Sequence, residues 1–297
     1  MISRAVISME LVLAFLFGLV PIVVSIGLLV TKKIRGSCFW CGILGLFIAS
    51  IVSSAGVIPI MFDQNKLLEF QSQKGTYYIV YALAVAALIE IARLICTGAV
   101  LKKRRTFRDA VSFGAGFVVI QMVSIASNMI SFYSTSAKIN NGSFDRLYKQ
   151  AIDSGYMTKE QLIQIKQIYF DQNVTDLAFM IPVTIFSAIV AIALSVLLVK
   201  GLREKYGFLS FIIALVISVG STYVASAIDN NYVTTAMECV LATAGIFYIL
   251  KVKDSIKEEP EAPVIPDSFM ESINTVKSSE NNSSDDMSSQ ITETKQD

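Results

Sequence analysis

Apolar residues fall into long unbroken runs rather than short alternating ones. Seven stretches, at about 10–30, 38–62, 77–101, 110–132, 177–199, 208–228 and 232–250, carry almost no charge. Each reaches or approaches the ~20 residues an α-helix needs to cross about 30 Å of hydrocarbon. The pattern therefore predicts an all-α, polytopic transmembrane helix bundle of about seven spans, covering residues 1–250. The first run could pass for a signal peptide. It ends in TKKIRGS rather than a small-residue cleavage site, and is read as a retained span.

Two segments break the pattern. Residues 133–176 are mixed, and read as a helical hairpin: GlySer at 142–143 offers a start, with Phe144, Leu147, Ala151 and Ile152 on one face. Thr158 and Gln161 have capping-box spacing ahead of Leu162, Ile165, Ile168 and Tyr169. Residues 251–297 are rich in Ser, Asn, Glu and Asp with almost no apolar periodicity, and read as a disordered acidic tail.

Composition agrees with a membrane protein. The chain is 54% hydrophobic and 16% charged, too apolar for an ordinary soluble domain. Its net charge of +1 hides an asymmetry. The tail from Lys251 holds 5 basic and 11 acidic residues, leaving 20 basic and 13 acidic in the bundle. The basic residues cluster in alternate short loops: Lys32, Lys33 and Arg35; then Lys102, Lys103, Arg104, Arg105 and Arg108; then Lys200, Arg203 and Lys205. The positive-inside rule puts those loops and the tail in the cytoplasm. The N-terminus and the 133–176 hairpin are then outside, in a multi-pass protein of the cell membrane. Membrane lipid is the implied surrounding, and nothing points to nucleic acid.

The chain has no histidine. Any mechanism that needs an imidazole as base or metal ligand is closed to it. Four cysteines (Cys38, Cys41, Cys96, Cys239) lie in or beside apolar runs. CFWC has redox spacing but not the surrounding βαβ pattern, so ordinary buried thiols are expected.

Chemistry concentrates in the third span, where Glu90 and Arg93 sit near the middle of an apolar run. Intramembrane charges are costly unless paired or facing a polar cavity, so they mark a candidate site. At i and i+3 the two share a helix face. Glu90 lies 11 residues before the end of its span and Gln121 a similar number after the start of the next, roughly 16 Å at 1.5 Å per residue. Ser218 comes to that level on span six, so Glu90, Arg93, Gln121 and Ser218 form a predicted buried polar layer. Ser124, Ser127 and Asn128 extend it, and Glu238 is shallower. Such groups can serve as interhelical hydrogen-bonded glue or as a site.

The block LIEIARLICTGAVLKKRRTFRDAVSFGAGFVVIQ resembles the core of the YhfC family, bacterial membrane proteins described as intramembrane metalloproteases and related to the CAAX-processing and bacteriocin-immunity type. The family pattern is two adjacent acids with arginine three residues after the second, a basic loop, a glycine-flanked histidine with a following acid, and later histidines. Carried over, the second acid is Glu90, the arginine Arg93, and the glycines Gly114 and Gly116. Ile89 replaces the first acid, Phe117 the histidine and Gln121 the following acid. Later histidines would fall near Ala191 and Ser218.

Active relatives would use zinc or a glutamate–histidine pair to activate water. Here only Glu90 remains as a candidate general base, and no cofactor is expected. The implied function is a non-catalytic relative that binds a peptide or a transmembrane partner protein. The alternatives are an active intramembrane peptidase using Glu90, or a small membrane transporter. Matched Gly/Pro-broken helices, which would favour transport, are missing from the sequence.

Overall fold

The computed structural model describes residues 1–53, 74–101, 105–154, 158–228 and 230–256. The end of the second span with Pro59, the loop lysine Lys66, basic residues 102–104, Asp229 and tail residues 257–297 lie outside the described residues. Within them the chain is helical with no strand. In order come α1 (Arg4–Val30), α2 (Gly36–Val52), α3 (Lys74–Ile95), α4 (Phe107–Asn140), α5 (Ser143–Asp153), α6 (Lys159–Phe170), α7 (Val174–Arg203), α8 (Gly207–Ala227) and α9 (Asn231–Lys253). Six are long and apolar enough to cross a membrane, and α2 is a shorter apolar helix of 17 residues.

The boundaries follow local chemistry. Ser3 caps α1 by accepting from Val6 N, so the helix begins six residues before Glu10 rather than beside it. Thr106 and Asp109 form a reciprocal capping box that starts α4. Asn173 caps α7, and Asn230 caps α9 by accepting from the amides of Tyr232 and Val233. Pro21 and Pro182 sit inside continuous helices. α4 overruns its predicted end and reaches Asn140 before Gly142, at φ +72°, turns the chain into α5. Only glycine takes that left-handed conformation freely. α5 and α6 are joined by the Lys166–Asp145 ion pair, and Phe144 is buried.

α4 is the central helix. It packs on α1, α2 and α7, while α9 packs on α7 and α8 on α3 and α7. Lipid tails are as apolar as leucine, so close van der Waals packing must hold these helices together. Glycine supplies it. A Cβ on Gly42 of α2 would strike the Phe113 carbonyl of α4, and one on Gly116 of α4 would strike the Phe39 carbonyl of α2. Gly114 lies against α7, where a Cβ would come within 2.9 Å of Ile192 Cα. The outward side chains stay apolar, for example Phe15, Leu19 and Val23 of α1 and Val240 and Phe247 of α9.

One face of the bundle gathers the start of α1 with the end of α4, through Ile2 N to Asn140 Oδ1 at 2.8 Å. It also holds the starts of α7 and α9, through Asn231 Nδ2 to Asp176 Oδ1 at 2.7 Å. The opposite face carries the described basic loop residues. There Arg35 pairs with buried Asp109 at 3.0 Å, and Arg105 donates to the Leu202 carbonyl at 2.9 Å.

Candidate functional site

α3 delivers Glu90 and Arg93 to the bundle interior, and the sequence explains why they can stay there. Both are essentially inaccessible, at 0% and 3% exposure. Arg93 Nη1 donates to Glu90 Oε1 at 2.9 Å and Oε2 at 3.2 Å. Ser218 of α8 donates to Oε1 at 2.6 Å. The carboxylate is thus held by a cation and a hydroxyl, which offsets the cost of burying it among apolar helices. The guanidinium lies over the Phe117 ring at 4.5 Å from the centroid. A cation over an aromatic face is attracted by the ring quadrupole. Arg93 Nε has no hydrogen-bond partner.

Just after Arg93 the helix changes register. Cys96–Val100 is a π-helical turn, and Thr97 donates its hydroxyl to the Arg93 carbonyl at 2.7 Å. Such turns often mark functional sites, because the extra residue opens the local backbone ladder. Nothing in the hydropathy pattern announced it.

The four predicted polar residues all line one cavity of about 320 Å³ between α2, α3, α4, α7 and α8. Glu90, Arg93 and Ser218 are directly bonded. Gln121 belongs to the cavity but not to that network, since its amide donates to Ser187 Oγ of α7 at 2.9 Å. Sequence reasoning passed over Ser187. A polar residue inside so apolar a helix was the available signal.

The positions that depart from the YhfC pattern converge on the same space. Ile89, Phe117, Gln121, Ala191 and Ser218 line the cavity together with Glu90. Residues from four helices, matched to one motif by sequence alone, therefore meet around a single hollow.

Zinc is the metal the resemblance implies, and the residues present do not fit it. Catalytic zinc usually takes three protein ligands from Cys, His, Asp or Glu. The described lining offers one carboxylate, no thiol and no imidazole, and a guanidinium already occupies that carboxylate. Among the described residues no group of three or more such ligands comes together. Cys38, Cys41 and Cys96 pack instead with Phe113 and Phe117, and the Cys38 thiol donates to Asp109 Oδ1 at 3.3 Å.

Besides Asp109, two further carboxylates among the described residues are buried outside the network. Glu10 of α1 accepts from Ser136 at 3.0 Å, and Glu238 of α9 accepts from Ser221. One oxygen of each, Oε2, has no partner. Glu10 stands at the edge of the first apolar run, where hydropathy gives no sign that it is buried.

The sequence model of the YhfC intramembrane metalloprotease family matches residues 16–238. The chain is also similar to the uncharacterized membrane protein YhfC of Bacillus subtilis (strain 168), 23% identical over 253 residues, which is 80% of this chain and 94% of that one. No solved structure matches it.

Proposed function

Since the chain belongs to the YhfC intramembrane metalloprotease family, we propose that it is a non-catalytic member that binds a polar ligand in the cavity where active relatives would do chemistry. One observation carries this reading. Every position the family pattern assigns to an acid or histidine faces the cavity, yet only Glu90 still holds an ionisable group, and its carboxylate is neutralised by Arg93. A general base must reach the proton it abstracts, and a water-activating metal needs its ligand set. What remains is a hydrogen-bonding lining: the Gln121 amide and the hydroxyls of Ser124, Ser187, Ser218 and Thr222. That lining suits amide or hydroxyl groups, so a peptide segment is the ligand class that fits both site and family.

The described basic loop residues share one face, which supports placing that face in the cytoplasm and the α1 N-terminus outside. Metal analysis and turnover of a fluorogenic membrane peptide by the detergent-purified chain test the proposal. Less than a tenth of an equivalent of zinc (on the order of background occupancy) and no cleavage are expected. Zinc near one equivalent, or cleavage abolished by Glu90→Gln, sinks the reading in favour of an active peptidase.

A further inference from the structure

A second cavity of about 540 Å³ lies at the outer ends of the helices on the face that carries the α8–α9 turn. Tyr78 of α3, Phe179 and Val183 of α7, Ser226 of α8 and Asn231 and Thr234 of α9 line it. The two cavities follow one another along the same helices. On α7 the outer one ends at Val183 and the inner one begins at Ser187, four residues or about 6 Å of rise. On α8 the inner one ends at Thr222 and the outer one begins at Ala225, three residues or about 4.5 Å.

At that junction sits an unusual pair. Ser221 lines the inner cavity and donates to Glu238, while Thr234, one helical turn from Glu238 on α9, lines the outer cavity. Glu238 is 3% exposed and its Oε2 has no partner. Although consecutive, α8 packs chiefly on α3 and α7 while α9 packs chiefly on α7. A buried polar atom without a partner is costly, and is retained where another group reaches it.

The lining also constrains the ligand. The Glu90–Arg93 pair is neutral overall, so a charged guest would enter a low-dielectric hollow without a counter-ion. At about 320 Å³ the inner cavity falls at the lower end of the usual range of small-molecule sites.

We infer that the inner cavity is filled from water at the α8–α9 face, with the outer cavity as vestibule and the Ser221–Glu238 pair as the constriction between them. Its ligand is a short, water-borne peptide segment that presents uncharged amide or hydroxyl groups. This rests on the binding reading above, and adds the route.

The test uses the full chain in sealed vesicles, with Cys38, Cys41, Cys96 and Cys239 replaced. Single cysteines are placed at Ser187 and Thr222 in the inner cavity. Ala214 serves as a buried control away from it, Val240 as a lipid-facing control, and Ser143 marks the α8–α9 face. The probe is a small, uncharged, hydroxyl-bearing methanethiosulfonate, added to one side of the vesicles with a thiol scavenger on the other. Ser187→Cys and Thr222→Cys should react from the Ser143 side at least about tenfold faster than Ala214→Cys, a barrier difference of about 1.4 kcal/mol. Adding Ser226→Trp in the vestibule should slow both by a similar factor.

Reaction no faster than Ala214→Cys at both positions, reaction only from the opposite side, or indifference to Ser226→Trp overturns the route. Two reporters keep the test decisive if one variant fails to fold. Zinc binding or peptide cleavage would instead sink the non-catalytic reading and leave this labelling pattern untouched, so the two failures are distinguishable.

Discussion

Glu90 and Arg93 are most economically described as one unit. Removing Arg93 leaves the buried carboxylate with only the Ser218 hydroxyl, and removing Glu90 leaves the guanidinium over the Phe117 ring without its anion; breaking a buried pair costs about 3–5 kcal/mol. Replacing both by apolar side chains removes the charge together with its partner. We therefore expect Glu90→Ala and Arg93→Leu each to lower thermal stability sharply in detergent, and Glu90→Leu with Arg93→Leu to lower it less than either. Additive losses across the three variants would show that the contact at 2.9 Å contributes no coupling. Phe117 sharpens the point. At the position matched to a histidine it supplies a ring face to the guanidinium instead of a ligand nitrogen.

Helix-level behaviour is governed by where glycine is needed. Gly42 and Gly116 face each other's backbones across the α2–α4 seam, so Gly116→Val must push α2 away or fail to assemble. At Gly220 of α8 an added Cβ meets nothing within 4 Å. Gly220→Ala should be neutral or slightly stabilising, because glycine costs about 0.5–1 kcal/mol relative to alanine inside a helix. Folded yield from detergent separates the two variants, and equal losses at both would refute the backbone-contact account. The start of α4 is a second lever. Asp109 both closes the capping box and receives Arg35, so Asp109→Ala should cost more than the ~1 kcal/mol of an ordinary cap. A melting curve indistinguishable from the parent chain would count against that.

For the whole molecule, the basic residues of the described loops converge on one face, and this predicts the orientation. Ser143→Cys should label from outside and Lys253→Cys from inside, in a variant without native cysteines. Labelling of both from one side would overturn it. The bundle also extends past the predicted boundary at residue 250. Val252 and Ile256 are buried against Ala110, Val196 and Val199. Truncation after Lys257 should leave stability nearly unchanged, because the remaining tail has too few apolar residues to offset the cost of ordering. Truncation after Lys253 should cost about 1.5–3 kcal/mol for the lost isoleucine. Equal melting temperatures for the two truncations would show that Ile256 contributes nothing.

The long apolar runs determined the helical, membrane-spanning class and the approximate position of each span, because a backbone in hydrocarbon has few ways to satisfy its hydrogen bonds. They also exposed Glu90 and Arg93, since a charge is conspicuous in an apolar helix. Depth along each helix was legible as well, through a fixed rise per residue, and Gln121 and Ser218 line the same cavity as Glu90. What it could not fix was rotation about each axis, which decides partners rather than depth. Ser218 reaches Glu90, whereas Gln121 turns to Ser187. The π-helical turn after Arg93, the burial of Glu10 and Glu238, and the stacking of two cavities along α7 and α8 were likewise decided by tertiary packing. Each depends on which helices approach one another and by which faces, and that is a property of helix pairs, not of any single run of residues.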